Sequence, residues 1–241
     1  MPKMTLDDLV TQLKAAYGAE LRSVVLYGSA AAGEHIAKRS DYNVLVIVDA
    51  LDGAKLAAAS AAARAWADAG NPAPLTLTTS EWRGSSDIFP MEYADILDRH
   101  KMLYGDAPFD GIQVDKKDLR LQLEQEAMGK LIKLRQGALA SGNDGGRQVE
   151  LLAASASAIM IIFRAFLRLQ GATAPKDNIS LSQEVARLAS FDGDPFKRVI
   201  RHVRGEESIK PGDASSVLSG YLRGMGQLVG FLDRFQPANE L

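Results

Sequence analysis

Two short apolar runs, Val24-Val25-Leu26-Tyr27 and Val44-Leu45-Val46-Ile47-Val48, constrain the fold of this chain more than any other feature. Gly28-Ser29 closes the first, and Asp41-Tyr42-Asn43 opens the second. Branched, apolar runs of this length bounded by glycine and polar residues read as strands. A glycine at a strand end lets backbone N–H groups approach phosphate oxygens with no side chain in the way, and a following serine adds a hydroxyl donor. Such a turn can hold a triphosphate. With the second strand placed at 42–48, Asp41 and Asn43 are two residues apart and share one sheet face.

The surrounding periodicities extend this pair into a lobe. Thr5 with Asp8 three residues later marks a helix start, and Leu6, Leu9, Val10, Leu13 and Tyr17 follow at helical spacing. Strands at 23–27, 42–48 and 75–79 alternate with an alanine-rich helix over 54–69 that Gly70-Asn71-Pro72 ends. In open sheets of this kind ligands sit at strand ends, where the Gly28-Ser29 turn falls.

Beyond Gly105-Asp106-Ala107-Pro108 the pattern is helical, which places a boundary near residue 115 and predicts an α/β unit over 1–114 and a helical unit over 115–241. Leu119, Leu123, Leu131, Leu134 and Ala138 stripe a long helix that stops at Ser141-Gly142-Asn143-Asp144-Gly145-Gly146. A second runs from Arg147 to Gln170. Shorter ones start at Ser180, with Gln183 completing a capping box, and at Asp194-Pro195; Asp213 caps the last. Five helices joined by short loops predict an antiparallel bundle. The apolar stretch from Leu151 to Phe163 is shorter than the ~20 residues of a membrane span and is followed by Arg164, so it reads as a bundle core. Arg164 is expected to pair with a carboxylate such as Glu124.

Composition removes several function classes. With no cysteine, thiol nucleophiles, disulfide frameworks and cysteine zinc sites are excluded. Twenty-eight basic against thirty acidic residues give no global field for a long nucleic acid, although a single nucleotide remains compatible. The acidic turn of the N-terminus at Asp7-Asp8 argues against a secretion signal, so a cytoplasmic protein with no membrane partner is expected. His35, His100 and His202 show no metal-ligand spacing, though His35 falls in the loop after the Gly28-Ser29 turn.

Gly28-Ser29, eleven intervening residues, Asp41, Tyr42, the polar Asn43 and the apolar run beyond together resemble the signature of the polymerase-β-type nucleotidyltransferases. That superfamily includes the antibiotic nucleotidyltransferases and small antitoxin-like bacterial members. The resemblance implies an α+β lobe of α/β type with a small mixed sheet, followed by an all-α helical bundle. It implies a nucleoside triphosphate, ATP first, with its β and γ phosphates on Gly28 and Ser29 and with Ser40 and Asn43 lining the site. Mg2+ would lie on Asp41, Asn43 and Glu92. A nucleoside monophosphate would pass to an acceptor hydroxyl, Glu92 completing the site or acting as base, and the acceptor would be a small molecule or a protein.

The sequence departs from that pattern at two places. Asn43 stands where the family has a second acid, and an amide offers one neutral carbonyl oxygen where metal binding needs carboxylate charge. Pro74 to Thr79, where the family supplies a third acid, carries none, which leaves Glu92 first and Asp95 second. As a strand, Phe89 to Ile96 would put those two on opposite faces. A second reading is therefore a catalytically degenerate module that binds a nucleotide or a protein partner. A third is a homodimer through the helical unit, motivated by Val217, Leu218, Tyr221, Leu222, Met225, Leu228, Val229, Phe231 and Leu232, which cover more than a narrow stripe of the last helix. An internal core is the simpler account of that breadth.

Overall fold

The computed structural model describes residues 4–31 and 41–236; Ser40, Arg39 and His35 lie outside them. Two compact units divide at Val114 and Asp115.

The first unit opens with helix α1 (Leu6–Tyr17), where Thr5 and Asp8 form a reciprocal capping box. Strands β1 (Leu21–Tyr27) and β2 (Asn43–Val48) follow, then α2 (Gly53–Asp68), capped by Asp52, and β3 (Leu75–Thr78). The chain continues through α3 (Thr79–Gly84), α4 (Pro90–Asp98) and β4 (His100–Gly105). The strands form one mixed sheet in the order β3-β2-β1-β4. β1 runs antiparallel to both β2 and β4, and β2 runs parallel to β3.

Both sheet faces are covered, which explains why β1 and β2 read as unbroken apolar runs. Val24, Leu26, Val44, Val46 and Val48 pack with Leu9, Leu13 and Tyr17 of α1 and Ala59, Ala62 and Trp66 of α2. Val25, Leu45 and Ile47 point the other way, onto Trp82 of α3 and Tyr93 and Ile96 of α4. Trp82 and Tyr93 stack at 4.2 Å; Tyr93 Oη donates to the Trp82 carbonyl at 2.7 Å, and Trp82 Nε1 donates to the Pro108 carbonyl at 2.6 Å. Every polar atom of this buried pair named here has a partner, as burial requires.

The structure corrects the sequence reading at three points. β2 begins at Asn43, so Asp41 stands ahead of the strand and strand alternation does not fix its face. Phe89 to Ile96 is not a strand: Pro90 takes the first turn of α4, where its missing N–H is no loss. The fourth strand, β4, carries Lys101 and the half-buried Met102, Leu103 and Tyr104 in place of a branched apolar run, which hid it.

The second unit contains α5 (Lys116–Ser141), α6 (Gly145–Leu169), α7 (Asn178–Leu188), α8 (Asp194–Arg204) and α9 (Pro211–Arg234). Asp177, not Ser180, caps α7; Gly193 precedes α8, so Asp194 is its first residue; Asp213 lies within the first turn of α9. α6 is the core helix and packs on α5, α7, α8 and α9. It passes a length-and-composition test for a membrane-crossing helix, yet Leu152, Ile159, Phe163 and Phe166 are fully buried in the bundle. Phe163, Phe191, Phe196 and Tyr221 form a continuous aromatic cluster. The broad apolar face of α9 is spent inside the unit: Val217, Leu218, Tyr221, Met225, Leu228, Val229 and Leu232 are buried, and α9 packs on α5, α6 and α8. Arg164 donates to Asn178 Oδ1 at 2.8 Å, while Glu124 is held by Arg120 at 2.8 Å.

Two stability predictions follow from the first unit. Gly105 has φ +75°, and a Cβ there would stand 1.8 Å from the Arg22 carbonyl oxygen across the β1–β4 pairing. Gly105→Ala is expected to cost about 3 kcal/mol, combining left-handed strain with backbone overlap, and denaturant unfolding will read it. Burial pushes the Tyr93 phenol up to about 12, against a hydrogen bond with Ser85 that lowers it. The folded state therefore holds this proton more tightly than the unfolded chain. Its contribution is complete below the unfolded value near ~10 and is lost as pH rises toward 12. Tyr93→Phe should flatten that alkaline decline in melting temperature.

Candidate nucleotide site

The antiparallel register brings three strand ends to one place: Tyr27, the last residue of β1, lies between Asn43 on β2 and His100 on β4. Gly28 then turns the chain with φ +77°, a conformation that costs glycine little and other residues more. Its N–H donates to the Arg99 carbonyl at 3.0 Å. That amide is thus engaged with the residue that precedes β4. Ser29, Ala30 and Ala31 are half-buried.

Above Gly28 the structure gathers side chains that the sequence places far apart. A Cβ on Gly28 would stand 3.4 Å from Asn43 Nδ2 and 3.7 Å from Asp95 Oδ2. The other Asp95 oxygen, Oδ1, accepts from Arg99 Nε at 3.2 Å and from Arg99 Nη2. Tyr27 belongs to the same neighbourhood: burial raises its phenol pKa first, and the charges of Asp95 and Glu92 raise it further. Glu92 and Asp95 are three apart on α4, so one helix face carries both, contrary to the opposite faces expected of a strand. Glu92 is the exposed one and Asp95 the half-buried one.

Asp41 is exposed, two residues ahead of β2. Between them, Tyr42 is anchored toward α2: its N–H donates to Asn71 Oδ1 at 3.1 Å, and its ring lies 6.1 Å from Trp66. Asn43 points to the opposite face, beside Leu45 and α4. His100 Nδ1 lies 2.9 Å from the Ile96 carbonyl with its ring against Phe109, a structural placement. Sequence reasoning missed Tyr27 and Arg99. The Asp95…Arg99 spacing is a helical ion-pair signal, legible only once α4 is recognised as a helix.

Among the described residues no three aspartate, glutamate, histidine or cysteine side chains gather into a metal-sized cluster. Closest to the Gly28 turn stand the Asn43 amide and the Asp95 carboxylate, which is paired with Arg99, whereas a metal pair needs several carboxylate oxygens to assemble and neutralise it. The described residues by themselves do not make up a two-magnesium centre.

The mixed four-stranded sheet, with the glycine turn at its central strand end and a helical unit following, is a nucleotidyltransferase fold. A similar solved structure is spectinomycin adenyltransferase AAD(9) from Enterococcus faecialis, determined with ATP and spectinomycin; it matches with a TM-score of 0.57 at 12% identity, covering 94% of this chain and 97% of that one. No family model and no curated protein sequence matches the chain.

The electrostatics of the turn can be read directly. Asp95→Asn is expected to move the Tyr27 titration toward the ordinary tyrosine value without returning it there, since burial is the larger cause. Ultraviolet absorbance against pH, with Tyr27→Phe as the blank, checks this.

Proposed function

We propose that this chain binds a nucleoside triphosphate at the turn that follows β1. The observation carrying this reading is the left-handed Gly28, with the Asn43 amide and the Arg99-bound Asp95 standing over it at the end of the sheet. Ser29 supplies a hydroxyl, and the backbone amides beyond it supply donors for phosphate oxygens. ATP is the first candidate, because the spectinomycin enzyme of similar fold was solved with it. Arg99 offsets the charge of Asp95 beside the turn, which lowers the repulsion that carboxylate would exert on a phosphate.

A second reading is adenylyl transfer to a small-molecule hydroxyl. The likeness to an adenyltransferase runs through both units, and this favours it. On that reading Asp41 and Glu92 contribute charge to the site, and transfer is slow because Asn43 replaces an acid.

Calorimetric titration with ATP and GTP, with and without magnesium, separates the two. Binding at comparable strength without magnesium, unchanged in Asp41→Ala and weakened at least about 10-fold in Arg99→Ala, is the result the first reading expects. Magnesium-dependent binding abolished by Asp41→Ala moves the assignment to transfer, and Asn43→Asp should then raise magnesium affinity. Absence of binding to either nucleotide under both conditions overturns both.

A further inference from the structure

The second unit hides most of its apolar side chains, and the exceptions are concentrated. Of its six exposed large apolar residues among those described, four, Leu121, Met128, Ile132 and Leu139, belong to α5, with Ile161 on α6 and Val203 on α8 the others, and Leu139 is 83% exposed. The four on α5 fall within about 20° of a single line along the helix, on the side away from Leu119, Leu123, Leu131 and Leu134, which face the bundle core. Between them on the same line stand Gln125 and Arg135, both exposed. The six residues are spaced alternately four and three apart, the repeat of a helix seam made to pack against another helix.

This seam is its own complement. Leu121 with Leu139, Gln125 with Arg135, and Met128 with Ile132 are each symmetric about the level of Lys130. In a two-fold pairing every contact occurs twice, residue i of one copy meeting j of the other and the reverse. Two α5 helices laid antiparallel would therefore place leucine on leucine at both ends and methionine on isoleucine at the centre. Between those layers the Gln125 carbonyl would accept from the partner guanidinium of Arg135, so the polar positions also match. A parallel pairing would set Arg135 against Arg135, and like charges opposed across an interface are costly.

We propose that the exposed stripe of α5 is a homodimer interface, occupied by a second copy of this chain in antiparallel two-fold contact over roughly 27 Å of helix. Four bulky apolar side chains from each copy leave water there, and the Gln125–Arg135 layers fix register and direction. This differs from a dimer through α9, whose apolar residues are buried inside the unit. It stands independently of the nucleotide reading.

Sedimentation equilibrium of the full chain tests it. The expected result is a concentration-dependent shift toward twice the chain mass. Met128→Glu, at an exposed position that leaves the core untouched, should raise the dissociation constant about 100-fold or more with unchanged circular dichroism. Gln125→Glu should tighten the dimer roughly 10-fold by pairing with Arg135 of the other copy. Because the chain has no cysteine, Leu121→Cys with Leu139→Cys should form an oxidative cross-link between copies, whereas Leu121→Cys alone should not. A chain of single mass at every concentration overturns the proposal. So does a dimer indifferent to Met128→Glu, or one that Gln125→Glu weakens.

Discussion

The hydrogen-bonding of β1 on both edges is the constraint on which the rest of the first unit depends. β1 is flanked by β2 and β4, and its faces are shut by α1 and α2 on one side and by α3 and α4 on the other. A strand so enclosed has no freedom in register, because a one-residue slip would exchange Val24 and Leu26 with Val25 and expose the wrong set. That fixed register carries Tyr27, Asn43 and His100 to one end of the sheet. The Gly28 N–H then closes onto the Arg99 carbonyl and fixes the start of the turn.

Arg99 consequently acts through two groups. Its carbonyl holds the turn, and its guanidinium holds Asp95 beside that turn. The side chains of this ion pair are only 17% and 24% exposed, and its evident effect is on the local charge beside the turn. The Asp95 carboxylate beside the turn is thereby offset by a guanidinium. The same neighbourhood lacks the second acid, because Asn43 occupies the strand position that points toward α4. Both features reduce the anionic ligands available to a metal ion among the described residues of this turn.

In the second unit the apolar side chains divide by destination. α9 buries most of its large apolar residues within the bundle and α6 does so apart from the exposed Ile161, whereas α5 buries one stripe and presents another. An amphipathic helix normally turns polar residues outward, so a second apolar line at seam spacing, interrupted only by a glutamine and an arginine that are symmetry-related, is unlike a solvated face.

Much of the architecture was legible in the sequence alone. The Thr5–Asp8 box, the branched runs of β1 and β2, the alanine-rich α2 and the long periodic helices α5 and α6 are local patterns, and local physics determines them. The mixed sheet and the helical half followed from their order and from the resemblance to nucleotidyltransferases. β4 and α4 were not legible, because β4 lacks a branched apolar run and α4 carries its information in a single proline and two charges. The breadth of α9 reads in the first place as an internal core, and the structure buries it there, although periodicity by itself reports which side is apolar and not what covers it. The sequence by itself determined that Gly28 ends a strand and that Asn43 stands where a carboxylate was expected. Only the tertiary structure decided that Asp95, 67 positions beyond Gly28, stands over that glycine under the hold of Arg99, because long-range strand pairing and helix packing create that proximity and no local rule contains it.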